Sequence, residues 1–235
     1  MSDFKHLLKD HDIDLSPEKL AELDTLVAEL LLWNEKTNLT AIREAKDVWI
    51  KHILDSLTIL PVLPEGPFAM IDIGSGAGFP GLPLKIARPD ADIIFLEAVR
   101  KKTDFIDHVI EKLGLTEAQT ANRRAEDLGR DRDYREQFDV ATARAVAYLP
   151  TLVEYALPFL KEGGIFIAQK GFNDDFAEEL AAADLALKTL GGKVREVREI
   201  ELPGVDRRAL VIIEKFLPTP AEYPRPDGIP KQKPL

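Results

Sequence analysis

The sequence contains no cysteine. This absence excludes disulfide bridges, thiolate zinc sites, iron–sulfur clusters and every mechanism with a cysteine nucleophile. There is also no run of about 18 apolar residues, the length that a membrane-spanning helix requires. The first ten residues, MSDFKHLLKD, carry charges where a signal peptide needs an apolar stretch. We therefore expect a cytoplasmic protein that binds no membrane. We expect no metal either, because His6, His11 and His108 lack the spacing of a metal site.

Positive charge is in the minority. The chain has 31 Lys and Arg against 41 Asp and Glu, a net charge of −10. Such a balance argues against nucleic-acid binding, since phosphate contacts need basic patches. The acidity is concentrated, however, in residues 1–37 (4 basic and 9 acidic) and residues 172–190 (1 and 5). A modest basic surface elsewhere is compatible with this distribution.

The first 60 residues have a helical pattern. Ser16 and Pro17 form an N-cap followed by proline at the first helical position, and leucines then recur at helical spacing over residues 20–31. Thr40 is a candidate cap for a second helical stretch that continues to Leu57. The chain therefore begins with a helical extension.

Proline and glycine mark the predicted division of the chain. With 235 residues, it is long enough for one domain with a small appendage. A cluster of three prolines and a glycine over residues 61–67 separates the N-terminal helical cap, residues 1–60, from the main domain, residues 61–216. Residues 217–235 hold six of the 16 prolines and several basic residues, so we expect an extended tail on the surface of that domain.

Short apolar runs alternate with helical patterns in the main domain. The predicted strands are Ala69–Ile73, Ala91–Leu96, Ala118–Ala121, Phe138–Ala143 and Gly164–Ala168. The predicted helices between them are Leu82–Ala87, Thr103–Leu113, Leu149–Leu157 and Asp174–Leu190. Such alternation is typical of a doubly wound α/β domain with a parallel sheet. Two last runs, Lys193–Ile200 and Arg207–Lys215, are too close for a crossover helix and predict an antiparallel hairpin. This mostly parallel, seven-stranded sheet is the architecture of a class I methyltransferase that uses S-adenosylmethionine (SAM).

A glycine-rich turn follows the first predicted strand. Its pattern from the strand end is Asp-x-Gly-x-Gly-x-Gly, formed by Asp72, Gly74, Gly76 and Gly78 and followed by Phe79. Glycine permits a sharp turn and close approach of a ligand, so a side chain at Gly74 or Gly78 should enter the cofactor's space. The dinucleotide pattern GxGxxG also fits, but only two residues after the strand end. The position of the glycines relative to the end of the strand therefore favours SAM over a dinucleotide as the cofactor.

Acidic residues follow the next two strands. Glu97 stands at the end of the second strand, where a carboxylate can accept hydrogen bonds from both ribose hydroxyls. Dehydrogenases also place an acid there, so Glu97 supports a nucleoside cofactor without choosing between SAM and NAD. Ala125 and Glu126 follow the third strand, near the expected position of the adenine. The alternative for Glu126 is an acid favoured by the helix dipole.

Six segments together resemble one known family over nearly the whole chain. They are Asn38–Thr40, His52–Leu57, Asp72–Gly81, Arg124–Glu126, Ala143–Ala145 and Gln169–Gly171. The sequence resembles the glucose-inhibited division protein B family, the bacterial 16S rRNA guanine-N7 methyltransferases. The resemblance implies SAM as cofactor and the guanine at position 527, in the 530 loop, as target. It also implies a cofactor site at the positions of Gly74, Phe79, Ala125, Glu126 and Arg144, and relatives often carry Asp where this chain has Glu97.

Arg144 is the predicted catalytic residue. It follows the fourth strand and faces the crevice between cofactor and target, where it could orient the guanine or the cofactor. No general base is expected, because guanine N7 has a lone pair and no proton. Replacement of Arg144 should therefore lower the rate more than the stability. The alternative is an arginine paired with a neighbouring acid.

Basic residues near the strand ends are candidate RNA contacts. They are Arg100, Arg123, Arg124 and Lys170, with Lys231 and Lys233 in the tail. The alternative for each is an ordinary solvated charge. His52 and Asp55 are expected to be structural, tying the N-terminal helices to the core. The expected partner is 16S rRNA in the small subunit or an assembly intermediate, and the expected form is a monomer.

Two other functions compete with methyl transfer. A nicotinamide-dependent oxidoreductase of the same fold needs a catalytic Tyr-x-x-x-Lys or a positioned histidine with a substrate domain, and the sequence offers neither. A non-catalytic ribosome-assembly factor could keep the fold. The intact loop with Asp72, Gly74, Gly76 and Gly78 argues against loss of cofactor binding.

Overall fold

A seven-stranded sheet forms the centre of the protein, in a computed structural model that describes residues 2–235. The strands are β1 Phe68–Ile73, β2 Ala91–Leu96, β3 Ala118–Ala121, β4 Phe138–Arg144, β5 Leu160–Gly171, β6 Gly192–Ile200 and β7 Arg208–Lys215. Their order is β3-β2-β1-β4-β5-β7-β6, with β7 antiparallel to both of its neighbours and the other pairs parallel. The predicted parallel sheet with an antiparallel C-terminal hairpin is confirmed.

Strand register sets the position of the site. Ile73 at the end of β1 pairs with Leu96 of β2 and Ala143 of β4. Gly74, Glu97 and Arg144 therefore all lie at the same edge of the sheet. The strand order reverses between β1 and β4, and doubly wound sheets bind ligands in the crevice at that point.

Eleven α-helices accompany the sheet in the described part of the chain. They are α1 Ser2–Lys9, α2 Pro17–Thr37, α3 Ala45–Val48, α4 Asp55–Leu57, α5 Gly81–Ala87, α6 Arg100–Leu113, α7 Ala125–Leu128, α8 Leu149–Ala156, α9 Phe176–Ala182, α10 Asp184–Leu190 and α11 Ile229–Gln232. The expected helix over Asp174–Leu190 is thus two helices. The Ala183 N–H bonds to the Leu180 carbonyl at 3.2 Å, a tight i−3 bond that ends α9. Across residues 2–235, no helix has the length and apolarity needed to cross a bilayer.

The second N-terminal helical stretch begins later than expected. It starts at Ala45, and Thr40 is not its cap; the Thr40 hydroxyl accepts the Ile42 N–H at 3.2 Å instead. Ser16 does cap α2, by accepting the Lys19 N–H. Between α3 and α4 the helix continues as a π-helical segment, Trp49–Leu54. Such wider turns occur frequently at functional sites.

The helical extension shares its core with one face of the sheet. Leu23, Leu26 and Leu30 of α2 are fully buried and belong to the same apolar cluster as Met70 of β1 and Ile93 of β2. Burial of each such side chain stabilises the fold by about 1.5–3 kcal/mol. The other face of the sheet packs on α8 and α10 in a second cluster. This packing brings residues 39–55 to the carboxyl edge of the strands.

The C-terminal segment after β7 lies against the main domain. Its polar anchor is Arg225, which donates to both oxygens of the fully buried Glu154 carboxylate, at 2.6 and 2.9 Å. Further on, the Gly228 N–H donates to Glu126 Oε1 at 3.1 Å. Thr151 of α8 donates to the Pro230 carbonyl at 3.0 Å. The tail is therefore attached beside the site and not along a remote surface.

Candidate active site

The glycine loop is shaped by backbone hydrogen bonds and one buried acid. The Gly74 N–H donates to the Leu96 carbonyl at 2.7 Å, which joins the loop to the end of β2. Asp72 is fully buried below the loop and accepts from the Thr142 hydroxyl at 2.9 Å and the Gly81 N–H at 3.1 Å. Burial raises the pKa of Asp72 to about 6. Asp72 lines neither of the two cavities beside the loop, and its hydrogen bonds hold the loop in place from below.

The three glycines of the motif differ in what surrounds them. A Cβ on Gly74 would lie 2.6 Å from Val146, and one on Gly78 would lie 2.3 Å from Leu82. The expectation that side chains there would enter the cofactor's space is wrong: they would collide with the protein itself. At Gly76, with φ +60°, the nearest atom is 3.9 Å away. Gly76 is therefore the glycine whose substitution would fill the cleft.

Two cavities adjoin at Gly74, Lys102 and Ala145, which line both of them. We call them the β2-side cavity, about 250 Å³, and the β5-side cavity, about 440 Å³. The β2-side cavity is lined chiefly by Glu97, Ala98, Arg123, Arg124, Ala125, Glu126, Tyr155 and Lys231. The β5-side cavity is lined chiefly by Thr40, Lys51, His52, Gly76, Phe79, Arg144, Gln169, Lys170 and Arg208.

Two buried glutamates characterise the β2-side cavity. Glu97 accepts the Gly76 N–H at 2.9 Å through one oxygen and the Val99 N–H at 2.8 Å through the other. Each carboxylate oxygen has a second lone pair, so Glu97 can still accept hydrogen bonds from a ligand. Glu126 receives the tail's Gly228 N–H and lies beside Tyr155, whose pKa is raised by burial and by the Glu126 charge. The cavity offers fixed acceptors to a ligand that carries hydroxyl or amino groups.

Arg144 lies in the wall of the β5-side cavity with only 13 % of its side chain exposed. One terminal nitrogen donates to Asp55 Oδ2 at 2.8 Å, and the other donates to His52 Nδ1 at 3.2 Å. Its guanidinium carbon is 5.4 Å from the centre of the Phe79 ring, a cation–π distance. His52 stacks on the same ring at 4.6 Å. The four side chains form one packed unit.

His52 is a neutral member of that unit. Burial, together with the charge of Arg144, lowers the pKa of His52 to about 3. Because an arginine only donates, Nδ1 is the acceptor, and Nε2 therefore carries the proton and donates to the Thr40 hydroxyl at 2.9 Å. Both ring nitrogens are engaged, so His52 has no free nitrogen with which to take a proton from a substrate.

The pairing with Asp55 changes what we expect of Arg144. Asp55 is only 1 % exposed, and removal of Arg144 would leave its buried carboxylate with a single long contact, 3.9 Å to Arg208 Nε. Such losses cost about 3–5 kcal/mol. Near-normal stability of an Arg144→Ala variant is therefore no longer expected. His52 and Asp55 do tie the N-terminal helices to the sheet, and His52 also lines the cavity.

The basic residues proposed for RNA contact are spread over different places. Lys170 lines the β5-side cavity but is paired with Glu179 at 2.5 Å. Arg123, paired with Asp131, lines the β2-side cavity, as do Arg124 and Lys231. Arg100 is paired with Asp104 on the surface, outside both cavities, and Lys233 is likewise exposed. Among these six, only Lys170 lines the β5-side cavity.

Two lining residues were not singled out from the sequence, Tyr155 and Arg208, and Gln169 was named there only within a segment that resembles the family. Gln169 follows the buried core of β5 directly, and its position could have been read from the end of that strand. Arg208 pairs with Gly171 across the antiparallel β5–β7 ladder. No pattern in the amino-acid sequence predicts that Arg208 pairs with Gly171.

Comparison with known families shows which protein family this chain resembles. A family model described as rRNA small subunit methyltransferase G matches residues 19–210. This chain belongs to that family. The resemblance to the glucose-inhibited division protein B family is thereby confirmed. The ribosomal RNA small subunit methyltransferase G of Chloroflexus aggregans is 48 % identical over 223 residues, covering 95 % of this chain and 93 % of the relative. The protein of the same name from Acetivibrio thermocellus is 43 % identical over 224 residues, covering 95 % and 91 %.

Solved structures show the same fold at low identity. The ribosomal protein L11 methylase of Lactobacillus delbrueckii has a TM-score of 0.53 at 15 % identity, covering 71 % of this chain and 79 % of that one. A variant of the 16S rRNA (adenine(1408)-N(1))-methyltransferase of Catenulisporales acidiphilia, solved with SAM, gives 0.52 at 14 %, covering 66 % and 88 %. The class I methyltransferase fold is confirmed. Nothing in these comparisons supports an oxidoreductase or a non-catalytic assembly factor for this member of the family.

Proposed function

We propose that this methyltransferase transfers the methyl group of SAM to N7 of guanine 527 in the 530 loop of 16S rRNA. The observation that carries the proposal is the junction of two different cavities at Gly74. One offers fixed carboxylates to a nucleoside, and the other is lined by cationic side chains. Family membership and the names of the relatives support the RNA target.

The residues of the β2-side cavity fit SAM. Glu97 would accept from the ribose hydroxyls, and Glu126 with Ala125 would border the adenine. The open space at Gly76 leaves room for the rest of the molecule to pass the loop. Bound SAM supplies an electrophilic methyl group on a sulfonium. The protein's contribution is to hold that group and the target nitrogen in line, since alignment alone can account for several kcal/mol of the barrier.

The β5-side cavity fits a target that gives up no proton. Methylation of an exocyclic amine removes a proton, whereas guanine N7 attacks through a free lone pair. The histidine of this cavity, His52, has both nitrogens occupied. Arg144, held by Asp55 and stacked near Phe79, can orient the base or a phosphate without moving. A positioning mechanism therefore suits both the residues and the chemistry.

Five cationic side chains line the β5-side cavity: Lys51, Lys102, Arg144, Lys170 and Arg208. Their charge would attract the phosphates of RNA. We further propose that the protein acts as a monomer. We place its action in the cytoplasm, where the small subunit or its assembly intermediate would be the substrate.

The test is methyl transfer from labelled SAM to small subunits from cells that lack the gene. Mass spectrometry of 16S rRNA fragments should locate the label at position 527. A second substrate, reconstituted with 7-deazaguanine at that position, lacks the accepting nitrogen and should receive no methyl group. Labelling of the 7-deaza substrate would show that N7 is not the acceptor. Tighter binding of NADH than of SAM in calorimetry would overturn the methyltransferase assignment.

A further inference from the structure

Three buried side-chain atoms have no hydrogen-bond partner among the described residues. They are Asp55 Oδ1, Gln169 Oε1 and Arg208 Nε. Gln169 and Arg208 line the β5-side cavity, and Asp55 pairs with Arg144 in its wall. Buried polar atoms are rarely left unpaired, so the two in lining residues indicate a partner that binds in this cavity. Asp55 Oδ1 and Arg208 Nε face each other at 3.9 Å, a long ion-pair distance. The Gln169 oxygen has no such neighbour.

Gln169 is a fixed acceptor. It is only 4 % exposed, and it lines the β5-side cavity. Its amide nitrogen donates to the Asp55 backbone carbonyl at 2.8 Å. Reversal of the amide would place two carbonyl oxygens against each other, so the orientation is determined. An amide oxygen in this state can serve only a ligand that brings a donor.

Gln169 lies at a distance from the glycine loop that a purine base could span. Gln169 pairs in register with Arg144 of β4, and β4 lies between β5 and β1. The glycine loop follows β1, so Gln169 is two strand spacings from it, about 10 Å. A purine whose N7 edge faces the loop turns its opposite edge towards β5. In guanine that edge carries N1–H and the 2-amino group, which are both donors.

We propose that Gln169 determines specificity for the target base by accepting a hydrogen bond from the 2-amino group of guanine. The inference rests on the proposed function, because it assumes that N7 faces the glycine loop. Adenine has only C2–H at that place and would leave the buried oxygen unpaired. A site built for a hydrogen bond rejects an analogue that lacks the donor, since the unpaired group keeps its desolvation cost.

The test pairs a change in the protein with a change in the base. Small subunits are reconstituted with guanosine or inosine at the target position; inosine keeps N7 but lacks the 2-amino group. Wild type should prefer guanosine about tenfold in kcat/KM, the size expected for one hydrogen bond. Gln169→Met keeps the volume and removes the acceptor. It should lose about tenfold on guanosine, and its guanosine-to-inosine ratio should fall to about one.

A matched control is Gln119→Met, the same substitution at an exposed position on β3. Its ratio should equal that of wild type. The ratio is measured within each variant, so partial loss of folded protein cancels. An unchanged ratio in Gln169→Met, or a wild-type ratio of one, overturns this inference alone. If the wild-type protein methylates neither substrate, the proposed function is overturned, and the proposed role of Gln169 is overturned too.

Discussion

The two cavities beside Gly74 differ in how their polar groups are satisfied. In the β2-side cavity, Glu97 and Glu126 already accept backbone N–H groups. At the β5-side cavity, the lining residues Gln169 and Arg208 each keep a buried atom without a partner, as does Asp55, which pairs with Arg144. The glutamates of the β2-side cavity are therefore held by the protein's own backbone, whereas the wall of the β5-side cavity contains polar atoms that the protein leaves unpaired. The difference suits a cofactor used in every cycle and a target base that must be distinguished from other bases.

The two cavities also differ in the charged residues that line them. Both are bordered by basic residues, but only the β2-side cavity also has carboxylates in its wall. The net charge of −10 thus says little about the site, because residues 1–37 and 172–190 together carry a net charge of −9. Local arrangement, and not total charge, determines where a polyanion can bind.

The largest effect is expected from Glu97→Ala. This variant tests whether SAM binding in the β2-side cavity depends on the carboxylate of Glu97. The variant removes the charged acceptor of the Gly76 and Val99 N–H groups, and each such bond contributes about 1.5–3 kcal/mol. SAM affinity measured by calorimetry should fall at least about 100-fold. Asp92→Ala, an exposed acid on the same strand, is the control. Retained affinity in the Glu97 variant would place the nucleoside elsewhere.

Arg144→Ala tests the packed unit of the β5-side cavity. We expect the free energy of unfolding to fall by about 3 kcal/mol, because the buried Asp55 loses its 2.8 Å partner and keeps only the 3.9 Å contact with Arg208. Methyl transfer should fall at least about tenfold. In the Arg144→Ala variant, adding Asp55→Asn should restore part of the stability and none of the activity. Arg100→Ala, which breaks an exposed pair, should change stability by less than about 0.5 kcal/mol. A normal melting temperature with low activity would show that Arg144 only orients reactants.

A smaller effect is expected from Gly76→Ala, which puts a methyl group into the β5-side cavity two residues from its junction with the β2-side cavity at Gly74. Both Gly76, with φ +60°, and Gly204, with φ +67°, have open space around them. Alanine at either position should cost about 1 kcal/mol of stability through its positive φ. Only Gly76→Ala should weaken SAM binding, about tenfold. Equal binding by the two variants would exclude the cofactor from the cleft beside Gly76.

The smallest effect is a change in pH dependence. Burial raises the pKa of Asp72 from 3.8 to about 6, and burial with the Arg144 charge lowers that of His52 from 6.5 to about 3. Between pH 4 and 6 the native state binds more protons at Asp72 than the unfolded chain does, so this contribution to stability falls as pH rises. At His52 the unfolded chain binds more protons, so that contribution rises over the same range.

Substitution should separate the two opposing contributions. Asp72→Asn should make the free energy of unfolding rise more steeply with pH than in wild type, by up to about 1.4 kcal/mol per pH unit. His52→Gln should flatten the curve by a similar amount. Urea unfolding at pH 4, 5 and 6 measures both slopes, with exposed Asp92→Asn as the reference. Parallel curves for wild type and both variants would contradict the pKa assignments.

Much of the fold follows from local patterns. Strand and helix periods, the glycine loop and the short connection before β7 predict the sheet because each depends on neighbouring residues. Glu97 and Glu126 could be found for the same reason, since they follow strands directly. The Asp55–Arg144 pair joins residues 89 positions apart, and Arg208 reaches the cavity through a ladder register. Such contacts depend on how whole elements pack, which no local pattern records.

The hydrogen bond from Gly228 to Glu126 has a consequence for synthesis of the chain. The two residues are 102 positions apart, and Gly228 lies in the last turn of the sequence before α11. Domains fold as units while the chain is still being made, from the N-terminus onward. The sheet and the glycine loop can therefore assemble before Gly228 is synthesised, whereas the hydrogen bond between Gly228 and Glu126 forms later. The part of the β2-side cavity wall at Glu126 is thus completed after the glycine loop beside it.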